Sequence, residues 1–386
     1  MPIANNFSQV KLGDNQYTFE MRVASCKQCG TVQLVEQPDR EQMFHENYAF
    51  YSSTSTAMDL HFKNLRDKLM SLFNIQGKLN ALEIGCNDGI LLKYLDEVTN
   101  ALGVEPSRNV AELARSKGLN VENSFFDNGF VNHMKSLGKT FDIVVSANVI
   151  CHIPYINEIF SGVTELLSDD GVFVHEDPYL VEILQKGTFD QIYDEHVFLF
   201  SCTSQSKIAR QNGLELFDVE IIPTHGGSAR YYFCKPGSRK ATSRLLKQLE
   251  IEDELDITNV STLKKFTREV EEKRDSFNQL VAELKANGSK IVGYGATSKS
   301  TTILNYFGLD DATIDCIYDT TPTKIGAYTP KTEIPIKDYK EFHKENAEYV
   351  ILFAWNHKDE IFQKERDFFN NTGKKWLTIL PNVGVI

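Results

Sequence analysis

The sequence predicts an α/β protein in which two Rossmann-like units follow a small irregular N-terminal unit. Short apolar segments alternate with stretches of helical periodicity from about residue 80 to residue 175, and a second such alternation begins at Lys290. Strands separated by amphipathic helices form parallel sheets with both faces covered. A length of 386 residues also exceeds that of one ordinary domain. We therefore expect three domains, at residues 1–57, 58–236 and 237–386.

The elements of the first Rossmann-like unit can be placed in order. A helix is predicted over residues 58–73, with four leucines on one face: Leu60, Leu65, Leu69 and Leu72. Apolar strand candidates lie at residues 80–84, 101–104, 141–146 and 171–175, and a further helix at 157–167 precedes the last of them. Residues 215–234 indicate two antiparallel strands around a turn at 225–228.

The second unit opens with a charge-rich helical stretch over residues 241–287, which Asn287 and Gly288 end. Strand candidates follow: the first starts at Lys290 and includes residues 291–295, and the others lie at residues 316–318 and 349–353. The N-terminal unit carries short apolar stretches and an aromatic cluster, and we expect neither a helix nor a sheet layer there.

Composition excludes several classes of function. The net charge of −12 argues against a nucleic-acid partner. No apolar run approaches the ~20 residues that span a bilayer, and no signal peptide is visible, so we expect a cytoplasmic protein. Seven cysteines without a secretion signal indicate reduced thiols. Whether the chain is a monomer or a homodimer stays open.

The end of the first strand carries a ligand-binding pattern. Gly85 and Gly89 allow a tight turn and a close approach of the backbone to a ligand. Glu105 follows Gly85 by 20 residues, the distance at which an acidic residue binds a ribose diol. A dinucleotide site shares this layout, but Asp88 would repel a pyrophosphate and attract a sulfonium and an ammonium group. We therefore favour S-adenosylmethionine over NAD, with these residues as its contacts: Glu83, Gly85, Asn87, Asp88, Gly89, Glu105, Ala147 and Asn148.

Ionisable side chains also cluster after the strand at residues 171–175. Residues 176–179 and 189–198 mix carboxylates and a histidine with aromatic neighbours. A histidine beside a buried carboxylate can be held near a neutral pKa, as a general base requires. A hydrogen-bonded loop at the sheet edge explains the composition equally well. His152 alone is compatible with a buried helix cap.

Several motifs together resemble the nucleotide-sugar C-methyltransferases, including the sugar 3-C-methyltransferases of deoxysugar biosynthesis. The likeness runs along essentially the whole chain, and the Asp194-Glu195-His196 run with Gly293-Tyr294-Gly295-Ala296-Thr297 is its most specific part. The other matching segments are 43–46, 83–89, 151–155, 176–180, 225–227 and 353–357.

This resemblance implies a reaction and a substrate. A methyl group goes to C-3 of a dTDP-linked 4-keto-6-deoxysugar, and a base must first remove a proton to give an enolate. By motif, His196 is that base; Tyr193, Glu195 and His152 orient it and support the enolate oxygen, and Tyr48 reaches the sugar. The family's adenine contact lies near Phe126, where Ser124 replaces an acidic residue and Asp127 is a possible substitute.

The resemblance also implies a nucleotide-sugar site in the C-terminal domain. Backbone N–H groups at a helix start together with a lysine form an anion site, so we expect the pyrophosphate there; a vestigial turn without a ligand is the alternative. The expected substrate contacts are Glu176, Tyr179, Arg230, Thr297, Ser298, Lys299, Lys324 and Asn356.

A zinc site is implied for the N-terminal domain, where the family carries two Cys-x-x-Cys pairs. Here only Cys26 and Cys29 have ligand spacing, and two ligands do not close a structural zinc site. We therefore expect no zinc, or an incomplete form of the chain; His45 is a candidate third ligand. Two other functions stay open: an O- or N-methyltransferase of a nucleotide sugar, and a non-catalytic protein that binds these ligands.

Overall fold

The structure is a computed structural model that describes residues 1–38, 56–73 and 78–386. The described residues before residue 235 contain ten strands: β1 (Val23–Ser25), β2 (Val32–Leu34), β3 (Leu79–Ile84), β4 (Thr99–Val104), β5 (Val121–Glu122), β6 (Phe141–Ala147), β7 (Leu167–Pro178), β8 (Phe198–Leu199), β9 (Glu215–Ile222) and β10 (Ser228–Cys234). The α-helices of this part are α1 (Thr56–Ser71), α2 (Leu92–Asp96), α3 (Arg108–Ser116), α4 (Asn128–Ser136), α5 (Ile156–Leu166), α6 (Leu180–Lys186) and α7 (Cys202–Gln211).

Seven of these strands form one sheet in the order β5-β4-β3-β6-β7-β10-β9. The first five are parallel, whereas β10 is antiparallel to β7 and β9. The chain leaves β3 toward one edge and later enters β6 toward the other. The loops that follow β3 and β6 therefore flank the topological switch point, where open α/β sheets bind ligands. This confirms the predicted Rossmann-like fold of the first unit.

The two faces of the sheet are buried in two apolar clusters. Helix α1 contributes Phe62, Leu65 and Leu69, which are buried at a helical period. The prediction for Leu60 was wrong, because this side chain is 60% exposed. Phe62 completes the buried face at positions i, i+3 and i+7, and Leu60 lies off that stripe.

The C-terminal part has a second, six-stranded sheet in the order β13-β12-β11-β14-β15-β16. Its strands are β11 (Ile291–Tyr294), β12 (Ile317–Asp319), β13 (Ile336–Asp338), β14 (Tyr349–Leu352), β15 (Lys375–Thr378) and β16 (Gly384–Val385), and only the last pair is antiparallel. The helices of this part are α8 (Ser243–Glu254), α9 (Val260–Ala286), α10 (Ser298–Phe307) and α11 (Lys358–Thr372). The switch point lies between β11 and β14.

The continuous helical stretch predicted over residues 241–287 is two helices. Asp256 has a φ of 48°, which an α-helix does not allow. Asn259 then begins α9 by accepting a hydrogen bond from Ser261 N at 2.9 Å. The apolar period on both sides hides the break, and only the Asp256-to-Asn259 turn chemistry indicates it.

The described N-terminal residues contradict the expectation that this unit lacks a sheet. Strands β1 and β2 pair antiparallel, and β2 pairs with β8 of the first α/β unit. The preceding segment instead contacts the C-terminal part: Lys331 N donates to Gln16 Oε1 at 2.5 Å, and Ser8 bridges to Tyr328. The boundary at residues 57 and 58 stays a prediction.

No helix among the described residues is both long and apolar enough to cross a membrane.

Candidate active site

The loops after β3 and β6 touch each other at the first switch point. Gly85 has a φ of +70°, and a Cβ built on it would lie 2.5 Å from Val149 Cγ2. Gly89 has a φ of +85°, and Asn87 and Asn148 also have positive φ values of 48° and 57°. These loops hold their backbone in turns that favour glycine and asparagine. Ala147 ends β6 beside them.

Three buried carboxylates surround this turn: Glu83, Asp88 and Glu105. Glu105 accepts hydrogen bonds from the backbone N–H groups of Asn87 at 3.0 Å and Ser107 at 2.8 Å. Lys117 Nζ lies 3.3 Å from Asp88 Oδ2. Glu83 is 4% exposed, and its Oε2 has no hydrogen-bond partner among the described residues.

Electrostatics make this group of carboxylates a receptor for a cation. Burial raises the pKa of Glu83 well above its ordinary value, and the negative charges of Glu105 and Asp88 raise it further. Burial also raises the pKa of Glu105. A ligand with a positive charge would offset the repulsion between these carboxylates, and its hydroxyl groups would donate hydrogen bonds to the buried oxygens. S-adenosylmethionine, with a sulfonium, an ammonium and a ribose diol, fits these residues.

At the predicted adenine end, Phe126 is buried and its ring lies 5.5 Å from that of Phe130. Phe125 is 37% exposed and presents the more accessible ring. Asp127 caps α4 by accepting a hydrogen bond from Phe130 N at 3.1 Å. An adenine contact through Asp127 would therefore compete with this cap.

His196 lies in a buried loop between Gln191 and β8. Its Nδ1 lies 2.7 Å from the carbonyl oxygen of Gln191, which can only accept, so Nδ1 carries the proton. Its Nε2 then bears the lone pair and accepts from the Tyr193 hydroxyl at 3.0 Å. Burial lowers the pKa of His196 well below its ordinary value, and His152 lowers it further. The imidazole is therefore neutral near pH 7 with its basic nitrogen defined.

His152 stacks on His196 with the ring centroids 5.3 Å apart. Burial lowers the pKa of His152 to about 4. Its short 3₁₀ turn is anchored by Asp177, whose Oδ1 accepts from Cys151 N at 3.3 Å and whose Oδ2 lies 2.7 Å from His175 Nδ1. Sequence reasoning gave no individual role to His175, the last residue of the predicted strand, or to Asp177, which lies in the segment 176–179.

Glu195 is 5% exposed, and its Oε1 accepts a hydrogen bond from Asn5 Nδ2 at 2.7 Å. Burial and the neighbouring Asp194 raise the pKa of Glu195 to about 7. Burial also raises the pKa of Asp194, which accepts from Ala4 N at 2.9 Å. The N-terminal segment thus contacts the predicted catalytic loop directly, which the sequence did not indicate.

Glu176 and Arg230, two of the predicted substrate contacts, form a buried ion pair with each other. Glu176 Oε2 also lies 2.7 Å from His61 Nε2, a residue of α1 that sequence reasoning missed. Burial would raise the pKa of Glu176, but His61 and Arg230 outweigh burial and lower it. This carboxylate is therefore charged and internally paired.

Tyr179, another predicted substrate contact, is fully buried. Its hydroxyl donates to Glu252 Oε1 at 2.6 Å and accepts from Gln248 Nε2 at 2.8 Å. A contact with the sugar would require these bonds to be exchanged. The Tyr179 hydroxyl is thus hydrogen-bonded within the protein, where the first unit contacts α8.

The second switch point brings the predicted anion-binding residues together. Thr297 caps α10 by accepting from Ser300 N at 3.0 Å, so Ser298 and Lys299 lie in its first turn. Lys324 Nζ donates to Ala296 O at 2.7 Å, and Asn356 follows β14. Burial lowers the pKa of both Lys299 and Lys324, although nearby carboxylates oppose this shift. An anion would compensate these two partly buried cations.

This second site adjoins the histidine pair. Lys299 Nζ donates to His225 O at 3.2 Å, and Gln191 Nε2 donates to the same carbonyl. Gln191 is also the residue whose carbonyl fixes His196. Trp355 Nε1, from the loop after β14, donates to Asp190 Oδ2 at 2.6 Å. The predicted base and the predicted anion site therefore share one hydrogen-bonded loop, at residues 189–196.

Two predictions concern the N-terminal unit: the sugar contact of Tyr48 and the zinc ligands. Tyr48 and His45 lie outside the described residues. Cys26 and Cys29 lie in a turn between β1 and β2, and both are partly exposed free thiols. Among the described residues, no third histidine, cysteine or carboxylate joins this pair as a metal-ligand group.

Comparisons with known proteins agree with this geometry. Residues 58–219 match the family model of a methyltransferase domain, and residues 223–381 match that of a C-methyltransferase C-terminal domain. The chain is 29% identical over 398 aligned positions to the C-methyltransferase NovU of Streptomyces niveus, and the alignment covers 100% of this chain and 92% of that protein.

Solved structures resemble the chain more distantly. An S-adenosylmethionine-dependent methyltransferase from Clostridium acetobutylicum is 13% identical with a TM-score of 0.37, over 48% of this chain and 94% of its own. The PH0226 protein from Pyrococcus horikoshii is 17% identical with a TM-score of 0.37, over 52% of this chain and 100% of its own. The two family matches and the full-length relative show that this chain is an S-adenosylmethionine-dependent methyltransferase, similar to C-methyltransferases.

Proposed function

We propose that the enzyme transfers a methyl group to C-3 of a nucleotide-linked 4-keto-deoxysugar, with dTDP sugars as the expected class. The observation that carries this proposal is the neutral His196, whose proton is fixed on Nδ1 by the Gln191 carbonyl at 2.7 Å. An imidazole held in this tautomer presents its lone pair for proton abstraction.

The chemical step begins with the substrate. The proton at C-3 lies beside the 4-ketone, so its removal gives an enolate. Nε2 of His196 takes this proton, and the C–H electron pair moves into the enolate. The loops around Gly85 and Asn148 would hold S-adenosylmethionine, whose sulfonium would supply an electrophilic methyl group to the enolate carbon and leave as the neutral thioether.

The chain's own residues stabilise the charge that develops. The Tyr193 hydroxyl, 3.0 Å from His196 Nε2, is close enough to turn from the imidazole to the enolate oxygen once the base has taken the proton. The carboxylate of Glu195 favours the imidazolium that forms on the next residue. His152, stacked on the base, limits its rotation.

The C-terminal domain holds the nucleotide part in this proposal. The N-terminal turn of α10 and the cations of Lys299 and Lys324 would bind the pyrophosphate. Because Lys299 and Gln191 share the His225 carbonyl, a diphosphate seated there would place the sugar toward His196. Binding energy from the diphosphate, which is remote from the reacting carbon, would then help to orient the sugar for the reaction.

The proposal is tested by incubating the enzyme with a dTDP-4-keto-deoxysugar and S-adenosylhomocysteine in deuterated water. We expect one deuterium to enter at C-3, and His196→Asn to abolish this exchange. The matched control is His133→Asn, because His133 is exposed on α4. If the wild type methylates the sugar without exchange, O- or N-methylation replaces the proposal.

A further inference from the structure

The N-terminal segment reaches across the molecule to the loop that carries His196. Residues Ile3 and Ala4 are buried, at 5% and 2% exposure. Ala4 N donates to Asp194 Oδ1 at 2.9 Å, and Ala4 O accepts from Thr301 Oγ1 at 2.9 Å. The segment is thereby fixed between the catalytic loop and α10 of the C-terminal domain.

Side chains of this segment approach two groups of the proposed mechanism. Asn5 Nδ2 donates to Glu195 Oε1 at 2.7 Å, and Lys324 Nζ lies 4.6 Å from the centre of the Phe7 ring. Asn5 is partly exposed, whereas the carboxyl group that it binds is buried. The amide donor thus reaches a buried carboxyl group from a partly exposed position.

We infer that Asn5 is a positioning residue that holds Glu195 in its ionised form and in the orientation that supports the base. The inference rests on the proposed function, because it assigns Asn5 a part in His196-dependent proton abstraction. An amide N–H can only donate, and its hydrogen bond stabilises a charged carboxylate more than a neutral carboxyl group. The backbone bonds of Ala4 keep the amide in place.

The other charged groups around Glu195 set the sign of the expected effect. Asp194 raises the pKa of Glu195 and Lys324 lowers it, while burial is the largest cause of the rise. Cys151 interacts electrostatically with Glu195, and the Met1 amino group interacts with the neighbouring Asp194. His196 is the next residue in the sequence. Loss of the Asn5 donor removes a group that lowers this pKa. The ionised fraction of Glu195 at pH 7 therefore falls.

The test is the pH dependence of kcat/KM for methyl transfer by the full-length enzyme. Because the pKa of His196 lies well below its ordinary value, we expect the rate to fall on acidification near pH 7 and assign this fall to Glu195, whose pKa is about 7. We expect Asn5→Ala to move this acid limb upward by about one pH unit, since a hydrogen bond to a charged group changes its ionisation about tenfold. The rate then falls about fivefold at pH 7 and about tenfold well below pH 7, and it recovers at high pH.

Control variants separate this role from a merely structural one. Asn6→Ala removes a neighbouring exposed asparagine and should leave the profile unchanged. If Asn5→Ala does not fold, Asn5→Asp keeps the side-chain volume without the donor and should shift the limb in the same direction. A uniform loss of rate with an unmoved acid limb, or no loss, overturns the inference. A wild type that neither exchanges nor methylates the 4-keto sugar overturns the proposed function itself.

Discussion

Tyr193, Glu195 and His196 lie within four residues of one another in a loop without regular secondary structure, and their roles depend on hydrogen bonds that the residue types alone do not reveal. The run of residue types indicates acid–base chemistry. The tautomer of His196, however, is set by a backbone carbonyl, and the ionisation of Glu195 depends on Asn5, which lies 190 positions away. Pattern reasoning can find such a cluster but cannot assign these partners.

Tyr193→Phe tests the role of the phenol. The variant keeps the ring but removes the donor to His196 Nε2 at 3.0 Å. We expect kcat to fall about 100-fold, as for the loss of one donor to a developing oxyanion, with the affinity for S-adenosylmethionine unchanged. Steady-state kinetics and calorimetry measure the two effects. Tyr17→Phe, at a position 45% exposed, is the control; a kcat within twofold of wild type contradicts the role.

Glu83→Gln tests the receptor for a cation. Glu83 is buried with an unpartnered oxygen, and its raised pKa means that the ionised form is unfavourable without a ligand. The neutral variant should therefore melt at a higher temperature in the absence of cofactor, yet bind S-adenosylmethionine about tenfold more weakly. Thermal denaturation and calorimetry report the two quantities. Glu254→Gln, on an exposed carboxylate, should change neither; equal or tighter binding by Glu83→Gln would contradict this account.

At the scale of elements, the strand–helix alternation was enough to predict both parallel sheets, because apolar strands between amphipathic helices have few other arrangements. The glycine loop and the strand-end positions followed from the same pattern. The break between α8 and α9 could not be predicted, because the helical period of apolar residues continues across it. The exposure of Leu60 could not be predicted either, because Leu60 fits the same kind of period. The pairing of β2 with β8 is a long-range contact that no local pattern indicates.

Gly85→Ala tests the contact between the loops after β3 and β6. An added Cβ meets Val149 at 2.5 Å and is also strained at a φ of +70°. Gly138→Ala has the same kind of strain at a φ of +64°, but no heavy atom lies within 4 Å. We expect the control to lose about 1 kcal/mol of stability and to retain cofactor binding. Gly85→Ala should lose detectable binding of S-adenosylmethionine in calorimetry; retained affinity would mean that the loop contact is not required.

At the scale of the whole molecule, the predicted three-part division understates how closely the parts are joined. The N-terminal segment contacts both α/β units, and α8 of the C-terminal part packs on the first unit. Glu252 on α8 accepts from Tyr179, Cys202 N and Thr203 N at 2.6–2.7 Å. These contacts join distant parts of the chain, so a reading of neighbouring residues could not find them.

Glu252→Ala tests this connection between the parts. The variant removes a buried carboxylate and leaves two backbone N–H groups at the start of α7 without their acceptor. We expect the free energy of unfolding to fall by about 2–4 kcal/mol. Chemical denaturation measures it, and Glu250→Ala on the exposed face of the same helix should cost little. Equal stability of the two variants would refute the connecting role.

The central claim is that carbon, at the position beside the ketone, accepts the methyl group. The most direct measurement uses S-adenosylmethionine with a ¹³C-labelled methyl group and a dTDP-4-keto-deoxysugar, followed by NMR of the product. The account predicts a methyl carbon coupled to C-3 of the sugar, formed by the wild type and by His133→Asn but not by His196→Asn. A label bonded to oxygen or nitrogen, or equal product from His196→Asn, would contradict it.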